Sequence, residues 1–172
     1  MNLLSKRTRS GDWVPDELWE QVKRHLPIPC VDVIVENAKG EFLLGWRCIP
    51  PYRNVWALPG GRLLRGEKLE TAVSRILAEY SLVANDLVLV GVFPMRFPRR
   101  SDVPICVAAR YRAGEPRPDG REFSRFRWSR SLPAKLGANY RRMITRWFEI
   151  RDLQNLHRIN AISSRKTRRR ST

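Results

Sequence analysis

The chain has 172 residues, of which 42% are hydrophobic, so it can bury the core of one domain without disulfides or a structural metal. Its three cysteines, Cys30, Cys48 and Cys106, are scattered and form no Cys-x-x-Cys pair, which argues against a disulfide framework and a zinc site and favours the reducing cytoplasm. The formal net charge of +16 attracts phosphates, so a nucleotide or nucleic acid partner is expected, although basic surface residues also serve solubility alone. The N-terminal residues lack the apolar core of a signal peptide, and no apolar run is long enough to span a bilayer, so no membrane partner is expected.

Periodicity and turn chemistry predict a mixed α/β domain over residues 15–150. In chain order they predict a loose basic N-terminal arm (1–14), a short helix (15–25), a hairpin (31–47) and a loop with a short strand (50–62). A helix (67–80), strands at 87–97, 103–112 and 122–128, and a closing helix (138–150) follow. The hairpin follows from alternating valines before the turn residues Asn-Ala-Lys-Gly, and the middle helix from an apolar stripe at helical spacing. The predicted fold class is therefore α/β (α+β), a hairpin-rich mixed sheet with helices packed on it.

The residues after position 150 are strongly basic. Residues 151–172 hold seven Lys or Arg and one acid, Asp152, so they carry +6 of the net charge. Because the end of this segment, SSRKTRRRST, is poor in apolar residues, a disordered basic C-terminal tail is predicted. Such a tail either binds nucleic acid or is an inert solvated terminus, and both interpretations stay open.

The segment with the most informative pattern is LPGGRLLRGEKLETAVSRILAEYSLV, at residues 58–83. It resembles the Nudix box, Gly-x5-Glu-x7-Arg-Glu-U-x-Glu-Glu-x-Gly-U with U apolar, and Gly61, Glu67, Arg75 and Glu79 stand at matching positions. In such a box the glycine-rich turn lets the backbone approach a pyrophosphate, and the helix presents carboxylates that hold hard cations such as magnesium. The resemblance implies a Nudix fold and a hydrolase that uses a divalent metal.

Three positions depart from the box: Ile76 and Tyr80 stand where glutamates are usual, and Leu82 replaces a glycine. These departures leave Glu79 as the carboxylate at the metal-facing positions of the helix. An apolar residue after the arginine and a single helical glutamate are typical of the GDP-mannose mannosyl hydrolase branch, and residues 31–47 are similar to the first hairpin of that branch. The resemblance to this branch also implies a homodimer.

In the branch that the chain resembles, one magnesium ion is held by a backbone carbonyl of the Gly-Gly turn, by the helical glutamate and by a residue of a later strand. The matching positions are Gly60, Glu79 and Glu122, and manganese is the alternative ion. Glu122 is assigned from its spacing to Trp128 in EFSRFRW. A solvated loop residue is the plainer interpretation of Glu122.

The resemblance also implies three substrate-binding residues. Arg47 matches a catalytic arginine that assists departure of the nucleoside diphosphate, since charge-assisted bonds stabilise the leaving anion. Arg62 matches an arginine that contacts phosphate or sugar, and Asp32 matches a polar substrate-side position. The plainer interpretations are two surface arginines and an acid on the solvent face. Glu67, at the helix start, is expected to stabilise the loop–helix junction rather than to bind metal.

The general base remains unidentified at this point. The branch places a histidine directly after the strand ligand of the metal, where this sequence has Phe123, which cannot take a proton. The two histidines, His25 and His157, lie in the first helix and near the tail, at positions that do not match.

Three functions are compatible with these patterns. The first is magnesium-dependent hydrolysis of a nucleoside-diphosphate sugar resembling GDP-mannose, with release of the nucleoside diphosphate. The second is general pyrophosphohydrolysis of a nucleoside diphosphate linked to another group, for which the helix lacks carboxylates. The third is a catalytically silent domain that binds nucleotide or nucleic acid, the latter through the arginine-rich tail.

Overall fold

The computed structural model describes residues 15–168, and the N-terminal arm expected at 1–14 lies outside them, as do residues 169–172. The described chain forms three helices and eight strands. In order these are α1 (Asp16–His25), β1 (Pro27–Glu36), β2 (Phe42–Arg47), β3 (Trp56–Ala57), β4 (Gly60–Arg62), α2 (Leu69–Ala78), β5 (Leu82–Val92), β6 (Met95–Phe97), β7 (Arg100–Gly114), β8 (Phe123–Ser129) and α3 (Ala138–Arg168). The predicted mixed α/β class is confirmed.

The strands form one mixed sheet of order β3-β2-β1-β7-β5, with β4 paired to β1, β6 to β7 and β8 to β2. β1 and β7 are parallel, with Asp32 beside Cys106, while the other pairs are antiparallel. The centre of β1 is covered on both faces, which is typical of a strand with a parallel neighbour. Asp32 therefore lies in the middle of the sheet.

The hairpin of β1 and β2 is confirmed. Asn37 closes the turn through its side-chain oxygen, which accepts hydrogen bonds from the backbone N–H groups of Lys39 (2.9 Å) and Glu41 (3.0 Å). Gly40 adopts φ +72°, a conformation that favours glycine. β1 begins at Pro27, earlier than predicted, because the segment from Pro27 onwards pairs with β7.

The strand expected at 87–97 is divided in the structure. β5 begins at Leu82 and ends at Val92, and the short β6 follows at Met95–Phe97. Both strands pair with β7 in antiparallel orientation, and β7 is longer than predicted. β5 and β6 therefore lie along the same side of β7.

α2 packs on the sheet through Ala72, Val73, Ile76 and Leu77, which are all buried. The helix ends at Ala78. Glu79 keeps helical dihedral angles as its cap and is followed by the turn into β5. The carboxylate of Glu79 is thus presented where α2 stops.

The closing helix extends beyond the predicted end at residue 150 and continues to Arg168, through most of the segment for which a disordered tail was expected. Glu36 at the end of β1 holds this helix at two points one turn apart: Trp147 Nε1 donates to it at 2.8 Å, and Arg151 Nη1 at 2.5 Å. No glycine or proline interrupts residues 138–168, so nothing stops the helix at 150. None of the helices in the described part of the chain is long and apolar enough to cross a membrane.

Candidate active site

A cavity of about 1040 Å³ opens on one face of the sheet, between α1, β4, the end of α2 and the loop after β2. Every residue predicted to bind substrate or metal lines it, although these residues come from distant parts of the sequence. They are Asp32, Arg47, Gly60, Arg62, Glu79 and Glu122. The box residues Gly61 and Arg75 also line the cavity, whereas Glu67 is not among the lining residues.

Asp32 and Gly60 face each other across the pairing of β1 and β4. A Cβ atom at Gly60 would lie 2.3 Å from Asp32 Oδ1 and 2.9 Å from the Val31 carbonyl oxygen, so the close approach requires glycine. Asp32 is only 8% exposed, which contradicts the interpretation of an acid on the solvent face. Burial raises the pKa of Asp32 to about 7, although the Arg47 guanidinium acts in the opposite direction.

Arg47 is not a surface arginine. Its Nη1 donates to Glu122 Oε1, and the two side chains are 12% and 14% exposed. Burial lowers the pKa of Arg47, but Glu122 and other acidic neighbours raise it overall, so the guanidinium stays charged. Its Nε is buried and has no hydrogen-bond partner in the described chain. Arg47 therefore keeps a donor that a ligand in the cavity can use.

Glu122 is neither solvated nor isolated in the structure. In addition to the Arg47 ion pair, its backbone carbonyl accepts a hydrogen bond of 2.8 Å from Cys48 N. Asp119 fixes the turn before it by accepting hydrogen bonds from the backbone N–H groups of Arg121 (3.1 Å), Glu122 (2.9 Å) and Phe123 (3.0 Å). The plainer interpretation of Glu122 as a solvated loop residue is therefore wrong.

Glu67 and Arg75 bind the glycine-rich loop to α2. Arg75 donates to both Glu67 oxygens, at 2.7 and 2.9 Å, and to the Arg62 carbonyl oxygen at 2.9 Å. Glu67 also accepts a hydrogen bond of 3.0 Å from Leu64 N. The hydrogen bond from Arg75 lowers the pKa of Glu67. These contacts are those expected of a residue that stabilises the loop–helix junction.

Glu79 and Arg62 lie at the rim of the same cavity. The Glu79 carboxylate is 3.8 Å from Arg75 Nη1, so it lies beside a positive charge. The Arg62 guanidinium lies 4.3 Å from the ring centre of Trp19 on α1, a cation–π contact that keeps this arginine over the cavity.

The departures from the box are occupied by packed side chains. Ile76 and Tyr80 are buried, and Tyr80 contacts Phe123 and Phe126 edge-on, with ring centres 5.4 and 5.2 Å apart. A Cβ atom at Gly45 would come within 2.4 Å of the Phe123 ring. Tyr80, which replaces a helical glutamate, therefore packs against Phe123, which replaces the histidine. Both replacements are visible in the sequence, whereas their contact is not.

Asp102 on β7 also lines the cavity and was missed in the sequence. It is 5% exposed, its Oδ2 accepts from Arg100 Nη2 at 2.6 Å, and its buried Oδ1 has no hydrogen-bond partner within residues 15–168. Burial raises the pKa of Asp102, against the effect of Arg100. The available signal was an acid directly before the apolar run at residues 103–109, which is weaker than the signal that marked Asp32 within a strand.

Across residues 15–168, no three His, Cys, Asp or Glu side chains are grouped so that they could hold a metal ion by themselves. Magnesium does not need such a cage, because it keeps several waters and commonly takes one or two carboxylates together with substrate phosphates. Glu79 and Glu122 bring two carboxylates to the cavity, and β4 brings backbone without a side chain at Gly60. Carboxylates and a backbone carbonyl are donor types that magnesium accepts together with a phosphate substrate.

Comparison with known proteins gives two kinds of match. The sequence model of the family described as "NUDIX domain" matches residues 26–166. The low-salt glycan biosynthesis protein Agl8 of Haloferax volcanii is 35% identical over 66 residues, which are 38% of this chain and 42% of that protein. The match to Agl8 thus spans less than half of that relative.

Solved structures share the fold. A MutT protein from Methanosarcina mazei Go1 has a TM-score of 0.62 at 25% identity, covering 73% of this chain and 96% of that one. The NUDIX domain of Shewanella oneidensis NrtR, solved with ADP ribose, has a TM-score of 0.60 at 21% identity and covers 79% and 98%. At 21% identity the second likeness concerns the fold alone.

Proposed function

The chain belongs to the Nudix family, and on that premise we propose that it is a magnesium-dependent hydrolase of a nucleoside-diphosphate sugar that releases the nucleoside diphosphate. The observation that carries the proposal is the convergence of Arg47, Arg62 and Asp32 with the carboxylates Glu79 and Glu122 on one cavity. Such a cavity offers positive groups to a diphosphate and acceptors to the neutral parts of a substrate.

The arginines would bind the diphosphate. Arg47 offers a buried charge and an unused Nε donor. Arg62 directly follows the Gly-Gly turn in β4 and lies against Trp19 of α1. When the bond to the sugar breaks, the diphosphate gains negative charge, which strengthens its hydrogen bonds to a fixed guanidinium. Arg47 therefore stabilises the leaving group more than the bound substrate, as catalysis requires.

The metal would be held by the Gly60 carbonyl, Glu79 and Glu122, with manganese as an alternative to magnesium. When bound, the ion neutralises phosphate charge. Glu122 can keep its contact with Arg47 and still face a cation, because an ionised carboxylate has about four lone-pair positions.

The proposed reaction consumes one water per substrate. Oxygen of water bonds to the anomeric carbon, the carbon–oxygen bond to the diphosphate breaks, and the nucleoside diphosphate leaves with that electron pair. The proton that the water loses passes to solvent. Phe123 is fully buried and contacts Tyr80, so no proton acceptor stands at the position where the resembling branch has histidine. The name of the Haloferax relative concerns glycan biosynthesis, which supports a substrate that contains a sugar.

The test is the position of bond cleavage in GDP-mannose and related nucleotide sugars. With magnesium and water labelled with heavy oxygen, the proposal predicts free sugar that carries the label and unlabelled nucleoside diphosphate. Sugar phosphate and nucleoside monophosphate would instead establish general pyrophosphohydrolysis. The Glu79→Gln variant serves as the control for turnover that depends on the site.

A catalytically silent binding domain is the second candidate. It is favoured by the burial of Ile76, Tyr80 and Phe123 in the core, where carboxylates and a base are usual in the family pattern. This candidate predicts nucleotide binding without turnover, or salt-sensitive binding of nucleic acid that is lost when residues 163–172 are removed. A homodimer, also proposed, is tested by the molar mass in solution.

A further inference from the structure

Beyond the phosphate-binding end of the cavity, we propose that Asp102 is a specificity-determining residue that accepts a hydrogen bond from an N–H or O–H group of the neutral part of the substrate. The inference rests on the proposed function, because it takes the diphosphate to bind near Arg47 and Gly60. It adds a recognition role to a residue outside the Nudix box.

The register of β1 and β7 separates Asp102 from Asp32, which faces Gly60. Asp32 is beside Cys106, and Ile28 is beside Asp102, so the two acids are separated by four residues along parallel strands. An even separation puts their side chains on the same face, and four residues correspond to about 13 Å along the sheet. A base or sugar attached to a phosphate that binds near Asp32 would extend over a similar distance.

The chemistry of the carboxylate selects what it can bind. An ionised carboxylate accepts hydrogen bonds and cannot donate to phosphate oxygens, which also repel it. Asp102 already binds Arg100 through Oδ2, at 2.6 Å, which favours the ionised form, while its buried Oδ1 has no hydrogen-bond partner in the described part of the chain. A buried acceptor without a partner costs free energy until a donor arrives.

The surroundings of Asp102 are suited to an uncharged, partly apolar group. Ile28, Met95, Phe97 and Pro104 line the cavity around it. Arg100 is held both by Asp102 and by the ring of Phe97, whose centre lies 5.4 Å from the guanidinium carbon. A nucleobase edge and a sugar hydroxyl share the required chemistry, which is a hydrogen-bond donor on a body with apolar faces.

The test compares binding of GDP and GDP-mannose, with magnesium present, by wild type and Asp102→Asn. If Asp102 contacts the base, the substitution weakens both ligands by at least about tenfold. If it contacts the sugar, only GDP-mannose is weakened and GDP is unchanged. Either result supports the proposal, whereas equal affinities of wild type and variant for both ligands would overturn it.

Two further variants keep the test decisive. Asp86→Asn removes the same charge from an exposed site outside the cavity, where Asp86 pairs with Arg110 and Arg112, and is expected to leave both affinities unchanged. If Asp102→Asn fails to fold, Asp102→Glu retains the charge but moves the oxygens, and the same loss is expected. If wild type binds and turns over the substrate and Asp102→Asn binds equally well, this inference alone is overturned. If wild type binds the ligands without turnover, the proposed hydrolase is overturned, and the binding test of Asp102 still applies.

Discussion

Arg47 and Glu122 form an ion pair across 75 residues of sequence, and both side chains are largely buried. The pair joins the end of β2 to the residue that precedes β8, because these two strands are neighbours in the sheet. A buried charge that loses its partner is strongly destabilising, so the pair fixes the arginine in the cavity wall as well as balancing its charge. Arg47, predicted to bind substrate, and Glu122, predicted to bind metal, therefore hold each other in position.

Arg47→Lys is expected to lower kcat for the nucleotide sugar by at least about tenfold with a small change in stability. Lysine retains a positive charge beside Glu122 but loses the planar fork that can bind carboxylate and phosphate together. Release of nucleoside diphosphate and thermal unfolding measure the two effects. Arg127→Lys is the matched control, because Arg127 lies over Trp56, outside the cavity. An unchanged kcat in Arg47→Lys would remove this residue from the mechanism.

Glu79→Gln is expected to reduce turnover by about a hundredfold and to raise the magnesium concentration needed for half-maximal rate. The contact with Arg75, which is long at 3.8 Å and partly exposed, should itself contribute less than about 0.5 kcal/mol to stability. Rates measured across a magnesium titration give both quantities. Glu70→Gln, an exposed glutamate in the first turn of the same helix, is the control. Equal magnesium dependence in wild type and Glu79→Gln would argue against a metal at this position.

Glu67→Gln is expected to destabilise the protein by about 2 kcal/mol at neutral pH, because Arg75 and Leu64 N lose a buried charged acceptor. The pKa of Glu67 is lowered in the folded protein, so its contribution is present above the ordinary value of 4.5 and is lost as the pH falls through the folded value. Urea unfolding of wild type and variant, from neutral pH to below 4.5, should show the difference shrinking in acid. A difference that is constant with pH would contradict this origin.

Asp32→Asn is expected to have the opposite pH dependence in metal-free protein. Burial raises the pKa of Asp32 from 3.8 to about 7, so wild-type stability falls as the pH rises through this interval, while the variant lacks the effect. The variant should gain up to about 4 kcal/mol relative to wild type between these limits. Unfolding with a chelator present measures the gain, and Asp86→Asn, an exposed acid, should show none. If the stability difference between Asp32→Asn and wild type did not change with pH, burial would not be raising the pKa of Asp32.

Gly60→Ala is expected to destabilise the protein by about 1–3 kcal/mol and to abolish turnover, because the added methyl group would overlap Asp32 Oδ1 and the Val31 carbonyl oxygen. Gly61→Ala is the matched comparison for stability. Its Cβ would meet only the Ile76 side chain, at 3.2 Å, which can shift slightly. Thermal unfolding of both variants should therefore rank Gly60→Ala as the less stable protein, and the reverse order would contradict the close approach of β4 to Asp32.

Patterns local in the sequence determined much of the fold and part of the site. The β1–β2 hairpin, α2 and the placement of Glu67 at the loop–helix junction follow from turn residues, from helical spacing and from charges near a helix end. Their physical causes act over a few residues, so they can be recognised without the rest of the chain. The box also indicated which arginines and carboxylates belong together, and the cavity contains them.

Only the tertiary structure decided the contacts between distant segments. The pairing of β2 with β8 brings Glu122 to Arg47, and the parallel register of β1 and β7 brings Asp102 into the cavity of Asp32. The contact of Tyr80 with Phe123 and the anchoring of α3 by Glu36 arise in the same way. Strand order and register depend on how the whole core packs. The local sequence around one residue therefore does not identify its partner on a neighbouring strand.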